Sequence, residues 1–280
     1  ESDASQWIAY QGKPLKRNAR YYWKVKVYTN RGEADWSAPA FWSMGLLNEA
    51  DWQGQWIGLD RTTPGDSETQ WSRLAARYLR KEFALSKEVK RATVHIAGMG
   101  LYELFINGQR IGDQVLAPAP TDYRKTILYN TYDVTPQLRK ENAIGVTLGN
   151  GRFYTMRQNY KPYKIPTFGY PKLRLNLIVE YMDGSKETIA TNTSWKLTTE
   201  GAIRSNNEYD GEEYDARKEL GNWTQSGYDD KSWIAAQRVS IPSGTLRAQI
   251  MPGMKVMDTL KPVSIQKLGD KYILDFGQNM

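Results

Sequence analysis

A chain of 280 residues with 40% apolar and 25% charged residues is long enough for one to three folded domains and too apolar for global disorder. It lacks Cys and holds a single His, His95, which excludes disulfides, thiolate zinc sites, cysteine nucleophiles and histidine metal cages. The 38 Lys and Arg against 31 Asp and Glu leave +7, but the basic residues are scattered and their densest runs, Lys13 to Arg20 and Lys87 to Arg91, are interrupted, so nucleic acid is not an expected partner.

Taken in chain order, almost every readable element is a strand. Gln6 to Tyr10 comes first. Tyr21 to Tyr28 alternates, with Tyr21, Trp23, Val25 and Val27 on one face and Tyr22, Lys24, Lys26 and Tyr28 on the other. Ala40 to Met44 follows. Asn48 to Trp52 is a short helical candidate, as are Val134 to Leu138 and Asp229 to Trp233. Ala92, Val94 and Ile96 alternate, which sets His95 on the opposite face, where a surface or hydrogen-bonded position is expected. Leu101 to Ile106 ends at an Asn107-Gly108 turn. Leu173 to Tyr181 alternates again, and Asp183-Gly184 predicts a type I′ hairpin leading into Thr188 to Ala190. Strands near Arg247 to Met251, Lys255 to Leu260 and Tyr272 to Phe276 complete the series. No apolar run approaches the roughly 18 residues of a membrane helix.

This pattern is all-β, read as consecutive β-sandwiches. Residues 1–46 supply about three strands where a fibronectin-type sandwich needs about seven, so they are expected to be the C-terminal part of one. Residues 47–70 read as a linker strand. Residues 71–240 alone have enough elements for a complete jelly-roll. Residues 241–280 read as the start of a further β-sandwich. The chain is accordingly expected to be a fragment of a larger protein.

An ordered set of motifs carries a family resemblance. Tyr21-Tyr22-Trp23-Lys24-Val25-Lys26-Val27, Asp35-Trp36-Ser37 and Trp56-Ile57-Gly58 come first. Leu101 to Gly108, Gly112-Asp113, Leu116-Ala117-Pro118 and Thr121-Asp122-Tyr123 follow, then Leu148-Gly149-Asn150-Gly151-Arg152-Phe153-Tyr154. Tyr209-Asp210-Gly211-Glu212-Glu213-Tyr214-Asp215-Ala216-Arg217 is the most specific, and Asp275-Phe276-Gly277-Gln278-Asn279 closes the set. Together they resemble the N-terminal non-catalytic region of bacterial α-L-rhamnosidases of glycoside hydrolase family 78. The resemblance implies a parent hydrolase that removes terminal α-L-rhamnose, with an inverting acid–base pair in a later (α/α)6 barrel absent from this chain. It also implies a rhamnose-containing glycan and the barrel of the same protein as partners, and a periplasmic or extracellular location.

The residues themselves suggest where a ligand would sit. At 12% aromatic, the chain suits carbohydrate handling, because rings cover the C–H faces of sugars. The proline-broken loop from Phe153 to Tyr170, with Tyr154, Tyr160, Tyr163 and Phe168, is the ligand-loop candidate. The family resemblance adds a calcium-dependent rhamnose site, for which Asp113, Gln114 and Asn159 with the Pro162 carbonyl are the candidate oxygens and Tyr163 the ring. No cofactor is otherwise required. Glu208, Asp210, Glu212, Glu213 and Asp215, closed by Arg217, look catalytic by density. Local pairing of Glu213 with Arg217, and of Glu212 and Asp215 with backbone N–H groups, predicts an inter-domain or active-site-rim role instead. A purely structural spacer and a non-enzymatic adhesion sandwich are the competing readings.

Overall fold

The computed structural model describes residues 8–61, 74–155 and 168–279. Two facing sheets form its centre. The first runs in the order Gln237–Arg238, Ile57–Gly58, Lys172–Tyr181, Val89–Met99, Thr126–Asp133 and Thr245–Ala248, with Lys186–Ala190 also paired to Lys172–Tyr181. The second runs Ile234–Ala235, Lys196–Thr198, Arg77–Ala84, Glu141–Gly149, Leu101–Ile106 and Gln109–Arg110. The pairing is antiparallel except where Thr245–Ala248 lies parallel to Thr126–Asp133. Alternation delivers one side chain in two to the space between the sheets. Val94, Ile96, Leu104, Ile106, Ile144, Val146, Leu175, Leu177 and Trp195 fill it and are all essentially excluded from water.

Both sheets are also covered on parts of their outer faces. Leu46, Trp52 and Trp56 pack over Ala97, Met99, Ile127 and Tyr129 of the first sheet. Trp223 and Trp233 pack over Ala76 and Tyr78 of the second. Arg80 anchors this second cover from a position that is 1% exposed: its Nε donates to the Trp223 carbonyl (2.9 Å), and its guanidinium pairs with Glu82 (2.5 Å) and Asp230.

Residues near the N-terminus are tied to the first sheet by buried polar bonds. The Tyr129 hydroxyl accepts from the Leu46 N–H (2.9 Å) and donates to the Leu46 carbonyl (3.0 Å). His95 stands between Thr131 Oγ1 (3.0 Å) and Asn18 Oδ1 (3.3 Å), edge-on to Trp52 and Tyr129. Because Asn18 Oδ1 only accepts, the ring proton sits on Nε2 and Nδ1 accepts from Thr131. His95 does face away from Val94 and Ile96, as alternation requires, but it is fully buried by the cover.

Several local expectations change. Tyr21 to Tyr28 is not one strand: Arg20–Trp23 pairs with Ala40–Ser43, and Tyr28–Thr29 pairs with Gly32–Glu33. Between them the Val25 N–H donates to the Ser37 side chain (2.9 Å) rather than to a backbone carbonyl, which breaks the ladder. Residues 8–10 are not a strand, and Gln6 and Trp7 lie outside the described residues. Of the three helical candidates, two are single 3₁₀ turns, Glu49–Asp51 and Thr135–Gln137, and Asp229 to Trp233 is a turn. Asn107 and Gly108 both take positive φ, 51° and 83°, as a type I′ turn demands. Asp183 does not. The Gly184 N–H instead returns to the Tyr181 carbonyl (3.0 Å), with Met182 and Asp183 at the centre of the turn. Toward the C-terminus, residues 256–262 form no strand, and Ser264–Leu268 pairs with Lys271–Asp275.

Candidate functional site

A groove of about 630 Å3 opens on the outer side of the second sheet. The strand Leu101–Ile106 alternates, with Tyr102, Leu104 and Ile106 inward, so Leu101 and Glu103 face out into the groove. Thr147 lies directly across from Glu103 on the neighbouring strand. Val115 and Leu116 flank this floor on one side, where Ala117 bridges to Tyr102, and Met254 joins them because its carbonyl accepts from the Val115 N–H (2.8 Å).

The other wall is a hairpin of Ile203–Asn207 and Gly211–Tyr214. Asn206 fastens it to the sheet: its Oδ1 accepts from the Asn150 N–H (2.6 Å) and lies over Gly149. A Cβ at Gly149 would stand 2.5 Å from that oxygen, so any larger residue would push the hairpin off the sheet. Its Nδ2 is buried without a partner. Arg152 closes one end by holding both carboxylate oxygens of Glu208, each at 2.5 Å, which keeps that carboxyl below its usual range. Glu103 is bonded by Arg110 (3.1 Å). Glu212 also lines the groove, and among the described residues nothing donates a hydrogen bond to its carboxylate.

The residues expected from sequence to hold a ligand are distributed differently. Asp113 is exposed and ion-paired to Lys255 (2.5 Å), whose ammonium holds its carboxyl below the ordinary value. Gln114 bridges to the backbone of Lys255, and its side-chain oxygen accepts from Asn130 (3.4 Å). Asn159, Tyr160, Pro162 and Tyr163 lie outside the described residues. Within the described part of this set a lysine already pairs with Asp113, and among the described residues no group of three or more His, Asp or Glu side chains is placed to hold a metal ion. From the ring-rich loop, Phe153 and Tyr154 are buried; Phe153 and Phe168 stack with each other and against Tyr123.

The acidic cluster splits. Glu208 and Glu212 enter the groove wall. Glu213 faces Ser205 (3.3 Å) and does not pair with Arg217. Arg217 is taken by Asp215, whose carboxylate accepts from both its guanidinium (2.8 Å twice) and its backbone N–H (3.1 Å), which lowers that carboxyl to about 2. Asp215 is the cap of the 3₁₀ turn Ala216–Lys218, its side chain accepting from the Arg217 N–H. Sequence reasoning also missed the role of Glu103, Asn206 and Arg152. The alternation of Leu101–Ile106 could have exposed Glu103; nothing local marks Asn206.

Residues 87–258 match the family model described as the α-L-rhamnosidase N-terminal domain. The chain belongs to this family. Residues 1–48 match a Rha78A-like N-terminal immunoglobulin domain. An α-L-rhamnosidase of Formosa agariphila is 40% identical over 100% of this chain, which covers 31% of that protein. The solved α-L-rhamnosidase of Dictyoglumus thermophilum superposes with a TM-score of 0.85 at 39% identity, covering 97% of this chain and 31% of that one. That of Aspergillus terreus gives 0.90 at 34% identity, covering 100% and 32%. The chain thus spans a little under a third of the length of the curated relatives it matches across its whole length.

Proposed function

We propose that this chain is the accessory β-sandwich portion of an α-L-rhamnosidase that cleaves terminal α-L-rhamnose from glycans or glycosides, and that its groove binds carbohydrate. The supporting observation is the groove itself. Its volume lies within the range of small-ligand sites, roughly 300 to 1,000 Å3. Leu101, Val115, Leu116 and Met254 offer an apolar surface for the C–H face and methyl group of a deoxysugar, and Glu212 opposes them with an unused acceptor for hydroxyls. The inverting acid and base belong to the catalytic barrel, outside these 280 residues. The location that goes with such a substrate is periplasmic or extracellular; no helix among the described residues is long and apolar enough to cross a membrane.

Titrating L-rhamnose and a rhamnosyl disaccharide into the isotopically labelled chain tests this reading. Shifts of the Gly149, Gly151 and Gly211 amides, reduced by Leu116→Asp, are the expected result. Saturable shifts confined to the Asp113 turn, or no binding at millimolar sugar, would reject the groove.

A spacer role within the same protein has its own support. Ile250, Met257, Ile265, Tyr272 and Leu274 are at least half or nearly half exposed, an apolar surface suited to docking the barrel. The N-terminal sandwich, fibronectin-like in its Tyr21 to Val27 motif, would then be held at a fixed angle by the Tyr129 and His95 bonds.

A further inference from the structure

The groove is acidic on a basic protein. Three carboxylates, Glu103, Glu208 and Glu212, line it against one guanidinium, Arg152, whereas the whole chain carries +7. Among the described residues, the cations beside the groove are already engaged. Arg152 is held bidentately by Glu208. Arg110 is shared between Glu103 and the carbonyls of Gly112 and Gln114. Lys255 is committed to Asp113. Among the described residues, a carboxylate entering the groove therefore meets no cation that it could claim without breaking an existing pair, and it meets Glu212, whose carboxylate no described side chain pairs with. Neutral hydroxyls face the opposite situation. They donate to Glu212, and a charged acceptor makes the stronger kind of hydrogen bond.

Resting on the carbohydrate reading above, we infer that the groove selects neutral saccharides and rejects uronates, with Glu212 as the specificity-determining residue. Rejection comes from like-charge repulsion at the exposed Glu212 carboxylate, so it weakens as salt screens it.

The test uses the whole 280-residue chain and two disaccharides that differ at one carbon: α-L-rhamnosyl-(1→4)-D-glucose and α-L-rhamnosyl-(1→4)-D-glucuronate. Calorimetric or NMR titration at low salt is expected to give at least about tenfold weaker binding of the glucuronate, with the gap narrowing to about threefold in half-molar NaCl. Glu212→Gln keeps the shape and removes the charge. It is expected to weaken the neutral sugar by about threefold to tenfold and to bring the two affinities together. Glu212 is exposed, so unchanged thermal unfolding of the variant confirms that its fold is intact. Equal affinities in the wild type, or a preference that Glu212→Gln leaves unaltered, would overturn the selectivity. Failure of both disaccharides to bind would remove the carbohydrate reading itself, a different outcome from equal binding.

Discussion

His95 gives the sharpest measurable consequence of the packing. The ring is fully buried beneath Trp52 and Tyr129, and burial, with a smaller contribution from Arg91, lowers its pKa from 6.5 to about 4. Between those two values the unfolded chain binds a proton that the folded chain refuses. Stability must therefore fall as pH drops from 6.5 toward 4, and by linkage His95 alone removes about 2 kcal/mol at pH 5 and about 3 kcal/mol at pH 4 relative to pH 8. Acid also protonates carboxylates held low by their partners, such as Asp51, Asp133 and Glu180, but their losses set in at lower pH, below the ordinary carboxylate values. The comparison with His95→Gln separates the two. Gln can still donate to Asn18 but cannot be charged, so the variant starts weaker at pH 8 by about 1 kcal/mol for the lost Thr131 bond. It then loses about 2 kcal/mol less than wild type on going to pH 5. Urea unfolding followed by Trp fluorescence at pH 8, 6, 5 and 4.5 reads the difference. Parallel stability profiles for the two proteins would show that His95 titrates normally and that the cover over the first sheet is open.

Other consequences follow from named contacts. Arg80→Met leaves Asp230 and the Trp223 carbonyl without their buried partner and is expected to cost about 3–5 kcal/mol in urea unfolding, whereas Arg217→Met, on an exposed local pair, is expected to leave the unfolding midpoint unchanged within error. Tyr129→Phe deletes both bonds to Leu46 and is expected to cost about 1–2 kcal/mol, with faster hydrogen exchange at the Leu46 amide; an unchanged exchange rate would mean that the N-terminal residues are held elsewhere. Millimolar calcium is expected to leave the melting temperature of the chain unchanged, and a calcium-dependent rise abolished by Asp113→Ala would restore the metal site. The 280-residue chain alone is expected not to cleave an aryl α-L-rhamnoside; turnover abolished by Glu212→Gln would move catalysis into the groove.

The likeness to the α-L-rhamnosidase N-terminal region rested on the ordered motifs alone; period-two patterning and turn residues were enough to establish an all-β chain, because alternation and positive-φ turns are local properties that neighbouring residues determine. Leu101–Ile106 with its Asn107-Gly108 turn and Lys172–Tyr181 were legible for that reason. Where the outcome depended on what lay opposite, sequence was not sufficient. His95 obeys its strand's alternation, yet whether its face meets water or protein was decided by residues 46–56 folding across it. Arg217 chose Asp215 over Glu213 because the 3₁₀ turn brings the nearer carboxylate round to its backbone N–H. Asp113 faced a metal or a base equally well on paper; Lys255, 142 positions away, settled its charge. The groove is the fullest case. Glu103, Arg152, Glu212 and Met254 come from four separate segments, and only the sheet pairing and the hairpin that Asn206 pins over Gly149 bring them round one cavity.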